Sequence, residues 1–81
     1  MAFNGACLIS RAGINSGDGL VHFELKALDG AFDWTAFVAN PAHGREILAM
    51  ALAAITANKN VHIQTNETTP WSEVWWFDIV K

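Results

Sequence analysis

The stretch AFDWTAFVANPAHGREILAMALAAITANKNVHIQT, residues 31–65, decides the fold because its hydrophobic period changes twice. Its first nine residues alternate between two faces, as a strand does. Asn40 followed by Pro41 is typical of a helix start. Apolar residues then recur at helical spacing up to Asn58, a residue type that tolerates the left-handed conformation that ends many helices. Alternation resumes in the last five residues, so the stretch predicts strand, helix and strand, with the helix at about 42–57.

Three segments outside this stretch alternate in the same way, at 6–14, 20–28 and 72–80. Asp29–Gly30 predicts a two-residue hairpin between the second and third strands. The order β-β-β-α-β-β is that of the OB-fold, a small five-stranded barrel with its helix between strands three and four. The sequence therefore predicts an α+β, mostly β, five-stranded OB-like barrel that forms a single domain over residues 1–81. A simple antiparallel sheet with one helix is the alternative.

The composition of the chain predicts that it functions as an assembly. Hydrophobic residues make up 52% of its 81 residues and charged residues only 16%, whereas an ordinary domain has about 25% charged residues. So short a chain is usually supported by disulfides, a metal or a partner subunit. Cys7 has no second cysteine to pair with, and no Cys/His cluster has the spacing of a zinc site. A homo-oligomer is the remaining source of support.

The predicted helix divides into two faces at 100° per residue. Its broad apolar face is predicted to be the core side and comprises Ile47, Leu48, Ala51, Leu52, Ala54 and Ile55. The opposite face carries little charge, although an exposed helix usually carries several charged residues there. Two interpretations are open: alanines that favour the helix, or contact with the helix of a neighbouring subunit. The second predicts an oligomer interface at Ala49, Met50, Ala53 and Ala57.

The last strand has large apolar side chains on both of its faces. We expect Trp75, Phe77 and Ile79 to point inward, because this face is the more uniformly large and apolar, and Trp34 to join them in the core. The other face then presents an indole and two valines outward. These side chains form either a contact between barrels or an incidental exposed row. The interface residues predicted on this strand are Val74, Trp76 and Val80.

Trp71 lies off the strand, in the polar loop that precedes it and directly after Pro70. A loop indole beside polar side chains can stack on a sugar ring, and it can equally plug the end of the barrel. The first interpretation predicts a ligand site formed by Trp71, Asn66 and Glu67.

The segments REILAMALAAITANKNVHIQT (45–65) and WSEVWWFDIV (71–80) resemble the pentameric OB-fold B subunits of bacterial exotoxins, of the subtilase-cytotoxin and pertussis type. The shared pattern is a Leu/Ala-rich helix, an Asn-Lys turn and a short strand of alternating aliphatics. It is carried by Ile47, Leu48, Leu52, Asn58, Lys59, Val61 and Ile63. The resemblance covers roughly the second half of the chain. It implies a ring of five subunits, with helices lining the centre and a glycan or protein bound on the outer surface, but not toxin activity.

No residue pattern favours catalysis or a metal. His22, His43 and His62 lack the spacing of a zinc site, and Cys7 lies in an apolar strand, where a free thiol usually acts as a small hydrophobe. The glycines of GINSGDG join two strands and do not open a helix, as a phosphate loop would. We therefore expect a protein that is not an enzyme and has no catalytic residues, metal or cofactor.

Charge and hydropathy limit the classes of partner that the chain is expected to bind. The net charge is −3 and the five basic residues are scattered, whereas a nucleic-acid-binding domain usually carries a basic patch. No apolar run is long enough for a membrane span and the first residues lack a signal-peptide pattern, so a cytoplasmic location is expected, or secretion if the chain is a trimmed mature form.

The sequence predicts a non-catalytic, ring-forming homo-oligomer, expected to be a pentamer, that binds a carbohydrate or a protein partner. The alternatives are a structural or adaptor subunit without a small ligand and, less favoured, a single-stranded nucleic-acid-binding OB domain.

Overall fold

The fold is a closed five-stranded barrel with one helix, in a computed structural model that describes residues 2–80. Its elements are β1 (Phe3–Ile14), β2 (Val21–Ala27), β3 (Thr35–Ala39), a 3₁₀ turn (Pro41–His43), α1 (Gly44–Ala57), β4 (Asn60–Thr65) and β5 (Ser72–Val80). Around the barrel the strands follow the order β1-β2-β3-β5-β4, in which β3 and β5 are parallel and the other pairs antiparallel. The predicted OB-like barrel and its element order are confirmed.

The core lies inside the barrel and is built by strand alternation. On β2 the residues at alternate positions are all buried: Val21, Phe23, Leu25 and Ala27. On β4 the buried side chains are those of Val61, Ile63 and Thr65. The core therefore forms mainly where one face of a strand is apolar and the other is polar.

The ends of the helical segment are fixed by two asparagines. The Asn40 side chain accepts a hydrogen bond from the Ala42 amide at 2.9 Å, and Pro41 begins a 3₁₀ turn, so regular α-helix starts at Gly44. Asn58 has φ 56° and ψ 48°, the left-handed conformation predicted for this position. The helical segment thus spans the predicted range, with its first turn wound more tightly.

The helix packs on the barrel through the buried residues Ile47, Ala51 and Ala54, and through Leu48 and Met50, which are partly buried against the same core. The two alanines let the helix backbone approach the barrel closely. Leu52 lies about 100° around the helix from Ala51, and its side chain is exposed. The prediction that Leu52 belongs to the core is therefore wrong, because the face that packs on the barrel is turned towards Met50, on the other side of the buried residues from Leu52.

The connection between β2 and β3 is longer than predicted. It spans residues 28–34, and in it only Gly30 has a positive φ, at 85°. β3 begins at Thr35, and its buried residues are Phe37 and Ala39. Trp34 precedes the strand, in the connection, with 46% of its surface exposed. The two-residue hairpin and the core position of Trp34 were wrong predictions.

A β-bulge in β5 changes which side chains point inward. The pairing of β4 with β5 shifts between Gln64 and Thr65, so that Gln64 faces Trp76 and Thr65 faces Val74. The extra residue is Trp75, and a bulge of this kind reverses the alternation beyond it. Val74 is fully buried and Trp75 is 46% exposed. The predictions of an inward Trp75 and an outward Val74 are both wrong.

Phe77 is buried, as predicted, and Trp76 points outward, also as predicted. Ile79, predicted to be a core residue, is exposed near the end of the strand. All four tryptophans consequently lie at the surface, with exposed fractions between 46% and 61%. An indole buries a large apolar area when it packs inside a protein. The four exposed tryptophans therefore leave much apolar area on the surface of this chain.

Candidate functional site

A pocket of about 310 Å³ opens on the outer face of β2 and β3. The turn between β1 and β2 forms one wall and the loop between β4 and β5 the other. Its lining residues are Asn15, Asp18, Leu20, His22, Val38 and Trp71, and we call it the Trp71 pocket. Its volume is at the lower end of the range for small-molecule sites, about 300–1,000 Å³, and suits a ligand of the size of one or two rings.

Trp71 is held in this pocket by its backbone. Its φ is 67°, in the left-handed region that bulky residues rarely adopt. The Trp71 amide donates to the Ala36 carbonyl at 2.6 Å, which ties the loop to β3. Ser72 restrains the loop on the C-terminal side of Trp71, because its hydroxyl donates to the Thr69 carbonyl at 2.7 Å. The indole is 61% exposed despite these restraints, so the loop displays an ordered aromatic surface.

Polar groups face the indole across the pocket. The Oδ1 atoms of Asn15 and Asp18 accept hydrogen bonds from the amides of Gly17 and Leu20, at 2.8 and 2.9 Å. These bonds fix both side chains through Oδ1 and do not use Asn15 Nδ2 or Asp18 Oδ2. The His22 ring meets the indole edge to face, with centroids 6.3 Å apart. The pocket thus combines an aromatic plate with a donor, an anionic acceptor and an imidazole.

The predicted ligand residues are only partly brought together. Trp71 lines the pocket, whereas Asn66 and Glu67 are exposed at the start of the same loop and do not line it. Asn15, Asp18 and His22 were missed as site residues. The signal for them was the NSGDG turn, which in an OB-like strand order lies beside the loop between the last two strands.

A second concavity, of about 250 Å³, lies between α1 and the bulge of β5. Its lining residues are His43, Glu46, Ile47, Met50, Trp75, Trp76 and Phe77, and we call it the double-indole groove. Ile47 and Phe77 are buried, while the two indoles are exposed at its side. The groove therefore offers an apolar surface with one acidic residue and one histidine.

Trp76 is oriented by a polar contact on the outer face of the barrel. Its Nε1 donates to Asp78 Oδ2 at 2.7 Å, and His62 Nδ1 lies 3.8 Å from the same oxygen. The polar atom of the indole is thus satisfied along the strand while about half of its surface stays exposed. What remains available for contact is apolar.

The predicted interface residues take different positions. Trp76 and Met50, which come from separate segments, meet in the double-indole groove. Ala49, Ala53 and Ala57 are exposed on the helix, and Val80 is half-buried near the end of β5. Val74 lies inside the barrel and is not available for an outward contact.

The described residues include no group of three metal-ligating side chains. Burial raises the pKa of the Cys7 thiol from 9.0 to about 12, with a further contribution from the negative charge of Asp29. A thiol with so high a pKa is a poor nucleophile at neutral pH.

No helix within residues 2–80 combines the length and apolar character needed to cross a membrane.

Scans against models of protein families, curated proteins and solved structures gave no match to this chain. The structure itself identifies the class of fold, which is a small OB-like barrel with one helix. A fold of this kind hosts many functions, so function depends on the geometry and chemistry of the two surface concavities.

Proposed function

We propose that this chain is a non-catalytic, homo-oligomeric binding module that takes a carbohydrate in the Trp71 pocket, with five copies in a ring as the resemblance implies. The observation that carries the proposal is the exposed Trp71 indole, held in a left-handed backbone conformation opposite Asp18 and Asn15. Backbone strain of about 1–3 kcal/mol at a displayed residue is characteristic of functional sites.

The chemistry of the pocket fits a sugar ring. A pyranose has a face of C–H groups that packs on an aromatic plate, and hydroxyls at its edge that need donors and acceptors. The indole supplies the plate, while Asp18 Oδ2, Asn15 Nδ2 and the His22 ring are the polar groups within the lining. The face of strands two and three, flanked by these two loops, is also where OB-folds bind oligosaccharides and oligonucleotides.

Charge favours a sugar over a nucleic acid. The lining contains Asp18 and neither lysine nor arginine, and the whole chain has a net charge of −3. Binding to a phosphate backbone depends on cationic side chains that replace counterions. A single-stranded nucleic acid would therefore meet repulsion at this pocket.

Assembly is supported by the number of large apolar side chains that the barrel leaves outside. Within residues 2–80 these are Leu8, Ile14, Leu28, Trp34, Leu52, Trp71, Trp75, Trp76 and Ile79. Where such side chains are contiguous, as Trp75 and Trp76 are beside α1, an exposed apolar patch is characteristic of a surface that contacts another protein. The same surface favours the second candidate function, a structural or adaptor subunit that contacts a protein and has no small ligand.

The test is binding of the purified chain to a printed array of neutral and acidic oligosaccharides, with Trp71→Ala and Asp18→Asn as pocket variants. We expect the unaltered chain to bind a defined subset of sugars, and each variant to lose at least tenfold in affinity for it. Leu52→Ala and Asp29→Asn are matched controls that should bind normally. Leu52 is exposed outside the pocket, and Asp29 Oδ1 accepts from the Ala31 amide as Asp18 Oδ1 does from Leu20.

A blank array for the assembled, folded chain would overturn the carbohydrate assignment, and a protein captured by the same chain would then favour the adaptor. Equal binding by Trp71→Ala and the unaltered chain would show that the sugar binds elsewhere. Retardation of single-stranded DNA or RNA at low salt would instead support the nucleic-acid alternative.

A further inference from the structure

We infer that the Trp71 pocket prefers sugars that carry a protonated amine, and that Asp18 is the residue that recognises the amine and disfavours acidic sugars. This inference rests on the proposed carbohydrate function and names the class of sugar within it. The feature of the pocket that supports it is a carboxylate without a cationic partner, held in the same lining as an exposed indole.

The charge of Asp18 is not compensated by the protein. The lining of the pocket contains this one acidic residue and neither lysine nor arginine. Within residues 2–80, no lysine, arginine or histidine nitrogen lies within ion-pair distance of the Asp18 carboxylate. Asp33, by contrast, has the ammonium group of Lys26 at 3.9 Å. The negative charge of Asp18 is therefore available to a ligand.

The turn between β1 and β2 fixes the position of this carboxylate. The Asn15 amide donates to the Leu20 carbonyl at 2.9 Å, and the Gly19 amide donates to the Asn15 carbonyl at 2.7 Å. Gly19 has φ 73°, which a glycine adopts without strain. Asp18 Oδ1 accepts from the Leu20 amide, and Oδ2 has no hydrogen bond from a described residue. A side chain that is ordered before binding loses little conformational entropy when a ligand arrives.

Loss of water makes the charge of the ligand important. A sugar ring that packs on the Trp71 indole displaces water from the Asp18 carboxylate, because the two side chains line the same pocket. Removing water from an ionised group is unfavourable unless hydrogen bonds and an opposite charge replace it. Since the lining has no lysine or arginine and the His22 ring is beyond ion-pair distance, that positive charge has to come from the ligand.

The indole favours the same class of sugar. The face of an aromatic ring carries partial negative charge and attracts cations, and tryptophan does so most strongly. The Trp71 indole is 61% exposed, and the net charge of −3 adds a long-range attraction for cations. A sugar amine in this pocket therefore has an aromatic surface and a carboxylate as partners, whereas a sugar carboxylate meets repulsion from both.

The test compares methyl glycosides that differ in one group: a hexosamine with a free amine, its parent hexose and the corresponding uronic acid, in the gluco and the galacto series. Binding is measured at about pH 6.5, at which an amine of ordinary pKa carries a proton. The indole N–H signals of the isotope-labelled chain are followed by NMR, and the Trp71 signal is assigned from Trp71→Ala. We expect the hexosamine to bind at least about fivefold more tightly than the hexose, because its hydrogen bond to Asp18 is charge-assisted. The uronic acid should bind most weakly.

Asp18→Asn is the decisive variant, because it removes the charge and keeps the shape of the side chain. The hexosamine should then bind no more tightly than the hexose, and the uronic acid should gain affinity. Asp29→Asn is the matched control and should keep the full preference. It removes one negative charge from an aspartate outside the pocket whose Oδ1 accepts from the Ala31 amide in the same way.

Equal binding of the hexosamine and the hexose by the unaltered chain would overturn the inference and leave the carbohydrate function standing. Tightest binding of the uronic acid, or a preference for the hexosamine that persists in Asp18→Asn, would overturn it in the same way. If no glycoside of either series shifts the Trp71 signal, the inference fails, and a blank oligosaccharide array then shows that the proposed carbohydrate function fails as well.

Discussion

Trp71 combines the largest side chain with a backbone conformation that suits glycine. Its φ of 67° costs an L-residue roughly 1–2 kcal/mol, and its indole recovers little by burial because most of it is exposed. At this position the backbone conformation lowers the stability of the chain, and the indole remains exposed to solvent. Strain together with exposure is the physical reason for proposing that Trp71 contacts a ligand.

The first prediction compares two substitutions at Trp71. Trp71→Gly should give a more stable chain than Trp71→Ala by about 1 kcal/mol, because only glycine adopts the left-handed conformation without strain. Both variants should lose carbohydrate binding, because both lack the indole. Urea unfolding measures the difference in stability, and equal stability of the two variants would contradict the account of strain.

Cys7 provides a prediction about pH. Burial raises the pKa of its thiol from 9.0 to about 12, so in the folded chain the thiol stays protonated over a range in which the unfolded chain ionises. The stabilising contribution is complete below about pH 9 and falls as the pH rises towards 12. The free energy of unfolding should decline over this range, and less so in Cys7→Ala.

The reactivity of Cys7 tests the same point directly. A thiol reagent at pH 8 should modify the folded chain very slowly and the chain in denaturant rapidly, since the thiolate is the nucleophile. Rapid modification of the folded chain would show that Cys7 is accessible and ionised, contrary to its buried position between β2 and β4.

At the scale of elements, the loop between β4 and β5 depends on one buried hydroxyl. Thr65 ends β4, and its Oγ1 lies 2.9 Å from the Glu67 carbonyl oxygen and 2.7 Å from that of Glu73. The hydroxyl thereby links the two ends of the loop that carries Trp71. The Trp71 pocket is thus stabilised from inside the barrel as well as from its rim.

Thr65→Val removes this hydroxyl with little change of shape. We expect it to lower the free energy of unfolding by about 1–3 kcal/mol, because carbonyl groups in a partly buried place lose their donor. Faster amide exchange in residues 66–71 and weaker sugar binding should accompany the loss. Thr68→Val in the same loop is the matched control, and an equal effect of the two changes would contradict a special role for Thr65.

At the scale of the whole molecule, the core combines phenylalanines and aliphatic side chains with alanines, and the tryptophans stay outside. Its core includes Ala27, Ala39, Ala51 and Ala54, whereas every tryptophan is at the surface. A barrel of this size cannot enclose four indoles as well as its four most deeply packed phenylalanines (Phe3, Phe23, Phe37 and Phe77). The apolar side chains that do not fit inside stay on the surface, and this exposed apolar area is the physical argument for the proposed assembly.

Stability should therefore depend on protein concentration. If folding is coupled to assembly, the midpoint of thermal unfolding rises with total protein, by at least a few degrees between about 1 μM and about 100 μM. Trp76→Gln should show a midpoint that does not change with concentration. A constant midpoint for the unaltered chain would mean that the exposed apolar surface does not stabilise the fold through self-contact.

The sequence by itself determined the order of the elements, the inward faces of β2 and β4 and the end of the helix at Asn58. These features are local, because alternation, helical spacing and a cap residue act over a few neighbouring positions. Only the tertiary structure decided the faces of β5, where a bulge set by pairing with β4 reversed the alternation and exposed Trp75. It also decided the Trp71 pocket, because barrel closure brings the turn after β1 beside the loop before β5, and no local pattern records contacts between segments that lie more than fifty residues apart.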